Sequence, residues 1–528
     1  MLPKLIAISI AIIVLYFNIA LKPDNYDIII ANGRIVDGTG NPWYIADIGI
    51  KDGKILKIGR LTGEKSRQLI DASGKVVSPG FIDIHTHADD IIKFPLAHNY
   101  IMQGVTTVIS GNCGGSVMEI ESFFNNLMKQ GIALNFGTLV GHGSIRRAVM
   151  GTANRDPSEQ EMDQMKLLAA RAMKEGAVGI STGLNYTPGL FSKTEEVVEL
   201  AKVVARYGGI YASHIRNEGN NVVNSVNEAI ETGIKAEIPI EISHFKVSGA
   251  GNWNKSKITL NLVNEAREKG FDISVDQYPY CASSTSLGAI FPAWIRTGEP
   301  WVPKLKDPEL KNRLRDDLAK TLVRNYTAEG LNRVQIAKYT SDPSLEGKGL
   351  KDILEMRGIE VNPSNAAELV IQLEMNRNEV IYHSMSEEDV QRIMKDPLTM
   401  HGSDGHITEM NVGVPHPRNY GTFPRILRVY VRENGLLSLE EAVKKMTSMP
   451  AGRIGIRDAG IISTGKRADI VIFDPGTIAD KATYLAPHQY PVGIDYVFVN
   501  GDIVVDHGSI TGRKPGKIIY GPGKGSKL

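Results

Sequence analysis

Gly80-Phe81-Ile82-Asp83-Ile84-His85-Thr86-His87-Ala88-Asp89-Asp90 sets two histidines at alternate positions directly after an apolar run. Side chains alternate faces along a strand, so His85 and His87 point the same way while Thr86 points back. Two imidazoles aimed at one point are a metal-binding arrangement, although an isolated His-x-His is more often a hydrogen-bonded or surface pair. The place of this strand in the fold decides between the two.

Outward from it, short apolar or β-branched runs recur, separated by stretches of helical period at 158–175, 194–207 and 220–232. That alternation predicts parallel strands joined by crossover helices. Strands are expected near 80–87, 105–112, 134–142, 177–183, 209–214, 239–244, 271–278 and 398–404. Eight such units predict an α/β fold, a TIM-like (β/α)8 barrel whose reactive groups sit at the C-terminal ends of the strands. The interval before the last strand is too long for one crossover. It predicts an inserted cap over about 284–356, entered at Tyr278-Pro279-Tyr280, with 365–374 and 379–383 rejoining the barrel wall. Segments 25–79 and 451–528 carry short strands with Gly and Asp turns, and neither makes a comfortable sandwich alone. They are expected to pair into one small β domain flanking a barrel at 80–450, with a Gly/Lys-rich tail after Gly512.

The composition allows a large catalytic domain plus a smaller one: 528 residues, 42% hydrophobic and 23% charged. Sixty basic against 59 acidic residues leave a net charge of +1, which gives no electrostatic case for nucleic acid and favours a small-molecule substrate. Oligomeric state is not legible. Residues 5–17 are apolar but for Ser9, and residues 1–24 read as a signal peptide or an N-terminal membrane anchor. Asn18 makes a poor cleavage context before Ala20, so retention as a tether is as well supported as cleavage. Either way the expected location is the periplasm or cell envelope. Two cysteines, Cys113 and Cys281, do not make a disulfide framework, and Cys281 reads as packing.

Ligand-type residues fall where the predicted strands end: His85 and His87 on the first, Cys113 past the second, His214 on the fifth, His244 on the sixth, Asp404 on the eighth. Any one is easily a satisfied core side chain; six at one rim are not. Zinc accepts imidazole, thiolate and carboxylate ligands and lowers the pKa of bound water to about 7. Lys246, on the face of His244, can reach into the same mouth, where a charged head would hold an anion.

The sequence resembles the N-acyl-D-amino-acid deacylases (D-aminoacylases) of the amidohydrolase superfamily. The resemblance rests on the His-x-His strand, Gly111-Asn112-Cys113-Gly114, Val140-Gly141-His142-Gly143, Gly179-Ile180-Ser181-Thr182-Gly183-Leu184, Ser213-His214-Ile215-Arg216, Ile242-Ser243-His244-Phe245-Lys246, Gly402-Ser403-Asp404-Gly405 and the stretch from His416-Pro417-Arg418 to Arg425. Many superfamily members bridge two metals with a carbamylated lysine on the fourth strand, and here that strand has none. The resemblance implies that Cys113 takes the bridging place and that one tight Zn2+ is held by Cys113, His214 and His244. It implies a second, weak or unoccupied site at His85 and His87, and Asp404 as the proton carrier in amide hydrolysis. Lys246, Tyr278, Ser284 and Arg418 would grip the carboxylate of an N-acyl-D-amino acid. The segment from Gly405 to Pro417 is longer than the family pattern leads one to expect, and no role is assigned to His142 or His383. Alternatives are a cyclic amide hydrolase of the hydantoinase or dihydroorotase type, another amidohydrolase acting on a small amide, and a non-catalytic tethered binding protein.

Overall fold

The computed structural model describes residues 25–296, 302–326, 330–376 and 378–526. The segment read as a signal peptide or anchor lies outside them. Among the described residues no helix is long and apolar enough to cross a membrane.

Eight parallel strands form the barrel among the described residues: Phe81–Asp83, Val105–Ser110, Asn135–Thr138, Gly179–Gly183, Ile210–His214, Ile240–Ile242, Ile273–Gln277 and Thr399–His401. The third continues as Val140–Gly141, which pairs with the fourth. Closure runs through the chain after the eighth strand. Asp404 N–H donates to His85 O at 2.8 Å, and Gly405 and His406 pair in parallel with Thr86 and His87. Inside the wall Ile82, Ile84, Ile109, Leu139, Val178, Ile210, Ala212 and Met400 pack with Ala451 and Ile454, so the barrel is filled and its polar groups collect at one end.

The crossover helices carry their own start signals. Glu159–Glu175 opens on a capping box in which Ser158 and Glu161 exchange backbone and side-chain bonds. Their apolar faces join the large core around the barrel through residues such as Met165, Ala169, Leu200 and Val226.

Both termini build one sheet. Strand Val76–Pro79 pairs antiparallel with Ile470–Phe473, and the strands before and after them extend the sheet on either side. The described residues past Gly512, to 526, run along the barrel. Gly516 N–H donates to Ile132 O, Ile519 N–H to Phe136 O and Gly521 N–H to Gly176 O, at 2.8, 2.8 and 2.9 Å, lacing the C-terminus along the barrel. A Cβ at Gly521 would lie 1.9 Å from Ala177 O, so only glycine allows that approach.

The inserted cap is larger than the sequence led us to expect. Its sheet is Ser283–Thr285, Asn378–Tyr382 and Val334–Tyr339, with Asn378–Tyr382 in the middle. Leu369, Val370 and Leu373 of helix Pro363–Glu374 pack with Leu314, Leu318 and Leu322 of helix Pro308–Tyr326. Residues 365–374 and 379–383 therefore belong to the cap core, which ends near Tyr382 rather than at 356, and helix Glu387–Lys395 returns the chain to the barrel. The reason is burial: that helix and strand bury apolar side chains in one core with helix Pro308–Tyr326.

Candidate metal centre and anion clamp

At the C-terminal mouth the chain bends at Ile84–His85, so the two histidines leave the strand at different angles instead of side by side. Their rings stand 5.9 Å apart at 73°. His85 turns inward: Nδ1 lies 3.2 Å from Asp276 Oδ2, and Nε2 lies 3.5 Å from Cys113 Sγ and 3.6 Å from Asp404 Oδ1. His87 stands nearer solvent, with Nε2 3.1 Å from Asp404 Oδ1 and its ring stacked on His406 at 5.0 Å.

Cys113 sits in a turn at φ 53°. Ser181, on the fourth strand, fixes that turn: its hydroxyl donates to Gly111 O at 2.5 Å and accepts from Gly114 N–H at 3.0 Å. Gly183 leaves room for it, since a Cβ there would meet Cys113 O at 2.0 Å. Cys113 Sγ lies 3.4 Å from His244 Nε2, and His244 Nε2 lies 2.7 Å from His214 Nδ1. His244 and Asp404 also have positive φ, 35° and 51°. Backbone strain in non-glycine residues thus gathers on three of the converging side chains, as is common at functional sites.

The donors form two groups that share His244. One is His85, Cys113, His244 and Asp404; the other is His214, Glu218 and His244, with ligand atoms in each within 4.8 Å of one another. The resemblance implies a Cys113/His214/His244 site beside a His85/His87 site, and the thiol stands next to both His214 and His244. His85 converges with the thiol, while His87 stands to the side on Asp404. A divalent metal suits this chemistry. Two imidazoles, a thiol and a carboxylate meet in a buried space, and the buried His214 Nε2 has no hydrogen-bond partner.

Electrostatics reinforce the point. Burial pushes the Cys113 thiol up, but the His244 and His85 imidazoles beside it outweigh that and hold it well below its usual range. Burial likewise raises Asp404, and the Arg418 cation, His244 and His87 bring its carboxyl well below the ordinary value. Cys281 faces Glu387 at 3.2 Å, and both cysteines are free. Burial pushes its thiol up to about 12.

Beside these donors stand two cations. Lys246 Nζ and the Arg418 guanidinium lie 5.6 and 5.0 Å from the Tyr278 ring centre. Arg418 Nη1 donates to Asp404 Oδ2 at 2.6 Å and Nη2 to Ser284 O at 3.4 Å. The longer segment before Arg418 does not displace it: Val414 N–H bonds Ala337 O of the cap and His488 Nε2 bonds Gly413 O. The Ser284 hydroxyl is engaged by the cap strand, donating to Val380 O at 3.0 Å, so that residue offers Arg418 its carbonyl. Cys113, His214, His244, Lys246, Asp404 and Arg418 line one cavity of about 1240 Å³ between barrel and cap. His142 is spent on Glu196 and His383 on Gln335. Sequence reasoning missed Glu218, Asp276 and His406. Asp276 lies two residues before the end of a predicted strand and was findable there; Glu218, four residues past His214 in a loop, follows no period.

A family model described as the amidohydrolase family matches residues 68–237 and 351–505. The D-aminoacylase of Alcaligenes xylosoxydans xylosoxydans is 36% identical over 520 residues, 94% of this chain and 97% of that protein. The chain belongs to the amidohydrolase family. Among solved amidohydrolases, the N-acyl-D-glutamate deacylase of Bordetella bronchiseptica, complexed with zinc and a phosphonate mimic of the tetrahedral intermediate, superposes with a TM-score of 0.81 at 34% identity. That match covers 94% of this amidohydrolase and 99% of that chain. The L-hydantoinase of Arthrobacter aurescens, at 17% identity and a TM-score of 0.53, covering 94% of this chain and 100% of that one, shares the fold alone.

Proposed function

We propose that this amidohydrolase is a zinc-dependent deacylase that hydrolyses the amide of an N-acyl-D-amino acid to a carboxylate and a free D-amino acid. The observation that carries the reading is the juxtaposition, in one cavity, of a thiol–imidazole–carboxylate cluster with the cations Lys246 and Arg418, which share the buried Tyr278 ring. A metal cluster alone fits many hydrolases, whereas the adjoining cations fit a substrate that carries its own carboxylate beside the scissile amide.

Cys113, His244 and His85, with His214 at the rim of the same cluster, would hold the zinc. When bound, zinc polarises an amide carbonyl and makes water a nucleophile near neutral pH. Asp404 takes a proton from the attacking water and delivers it to the departing nitrogen, acting as base and then acid. Lys246 and Arg418 bind the substrate carboxylate and orient the amide across the donor cluster. A second, weaker zinc beside His87, the D preference, and export with residues 1–24 as signal or anchor belong to the same proposal.

The cyclic-amide alternative is disfavoured by the fourth strand, where Ser181 supports the cysteine turn and no lysine is present. The test is a panel of N-acetyl D- and L-amino acids, with hydantoin and dihydroorotate as controls and metal analysis of the same preparation. Release of amino acid from the D series, lost on chelation and restored by zinc, is expected. Turnover of the cyclic amides alone would replace the reading.

A further inference from the structure

On the side away from the thiol, His244 has two neighbours that compete for one nitrogen. Its Nδ1 lies 3.1 Å from Glu218 Oε1 and 2.9 Å from Lys246 Nζ, and that ammonium lies 2.5 Å from the same carboxylate oxygen. Its Nε2 faces Cys113 Sγ and His214 Nδ1. A neutral imidazole has one N–H and one lone pair. If Nδ1 accepts from the ammonium, the ring proton sits on Nε2, and the nitrogen facing the thiol has nothing to give a metal. If Nδ1 donates to Glu218, Nε2 turns its lone pair into the donor cluster. The ammonium, held by Glu218 and by His244 O at 3.0 Å, then keeps a proton for another acceptor.

We propose that Glu218 is a positioning residue with two tasks. It accepts a hydrogen bond from the Nδ1–H of His244, which leaves the lone pair on Nε2 as a metal ligand, and it holds Lys246 where the substrate carboxylate docks. Among the described residues Glu218 is the one acid ion-paired with either group, it lines the cavity, and its side chain is 16% exposed. Carboxylates behind metal-bound imidazoles fix ring orientation and tautomer in this manner. The first task rests only on metal binding; the second rests on the deacylase reading.

Zinc affinity of the purified full-length chain, measured by chelator competition with no substrate present, separates the two. Glu218→Ala is expected to weaken zinc binding by about 10-fold or more. Glu218→Gln keeps an oxygen for the Nδ1 proton and weakens it less. An amide carries no charge to hold the ammonium, so KM for N-acetyl-D-amino acids rises about tenfold in Glu218→Gln with a smaller change in kcat. Zinc affinity within about twofold of the unmodified chain in Glu218→Ala overturns the first task. Unchanged KM in Glu218→Gln overturns the second. If Glu218→Ala does not fold, Glu218→Leu, which keeps bulk but offers no acceptor, is judged by the same zinc-affinity criterion. Weakened zinc binding in a chain that hydrolyses none of the panel supports the first task and refutes the deacylase reading instead.

Discussion

Arg418 Nη1 and Asp404 Oδ2 are 2.6 Å apart, so the cation proposed to grip the substrate and the carboxylate proposed to move protons are one buried ion pair. Asp404 is held well below its ordinary pKa, so in the proposed role it would be a weak base toward free water and would need a bound metal to acidify that water. On the proposed reading a substrate carboxylate would compete for the same guanidinium, coupling binding to the freeing of the base.

Asp404→Asn keeps the shape and one acceptor oxygen and removes the proton carrier. Turnover is expected to fall by about 1000-fold or more while zinc content, measured on the same sample, stays near that of the unmodified protein. Activity within about tenfold of the original would end the proposed role.

Cys113→Ser tests the thiol. The turn is held by Ser181 rather than by the sulfur, so the fold should survive, but a serine hydroxyl does not ionise as a thiolate does. Zinc affinity should drop by about 100-fold, the share of one ligand in a structural-strength site. Full zinc content at equal free metal would remove Cys113 from the ligand set.

The barrel was legible because its signal is local. Each strand and its following helix announce themselves within one repeat, and the rule that reactive groups lie at strand ends then gathers Cys113, His214, His244 and Asp404 without any knowledge of packing. The cap was not legible in extent, because its sheet joins Ser283–Thr285 to Asn378–Tyr382 across the whole insert, and pairing at such separation leaves no periodic trace. Glu218 escaped for a related reason: its role comes from a neighbour on the next strand. The bend at Ile84–His85, which sends the two opening histidines to different partners, follows from barrel closure and not from anything in the His-x-His stretch itself.

A contact from the terminal β domain was equally invisible. Tyr484 packs on His416 of the barrel mouth at 5.2 Å and on His383 of the cap at 4.6 Å, and its carbonyl accepts from Gln335 of the cap at 2.9 Å. His416 in turn takes the backbone N–H of Arg418 on Nδ1 and donates to Ala282 O. The ring therefore braces the residue that sets the start of the Arg418 helix. Tyr484→Ala should raise KM by about fivefold to tenfold with little change in zinc content, and Tyr484→Phe, which keeps the ring, should behave as the unmodified enzyme. Equal KM in all three would show that the brace does not reach the clamp.

Lys445 gives a stability prediction away from the chemistry. It is buried on helix Leu439–Met446, its ammonium donates to Met394 O and Asp396 O, and burial lowers its pKa from 10.5 to about 8 despite Asp396 and Glu441. Below pH 8 both folded and unfolded lysines are protonated and the burial cost is constant. Between about 8 and 10.5 the unfolded chain binds more protons, so this residue makes stability rise with pH. Lys445→Met removes that rise but leaves two carbonyls without their donor. The difference in urea midpoint, mutant minus unmodified, should therefore become more negative from about pH 7.5 to about pH 9.5. A difference that stays constant across that window would mean that Lys445 keeps its ordinary proton affinity in the fold.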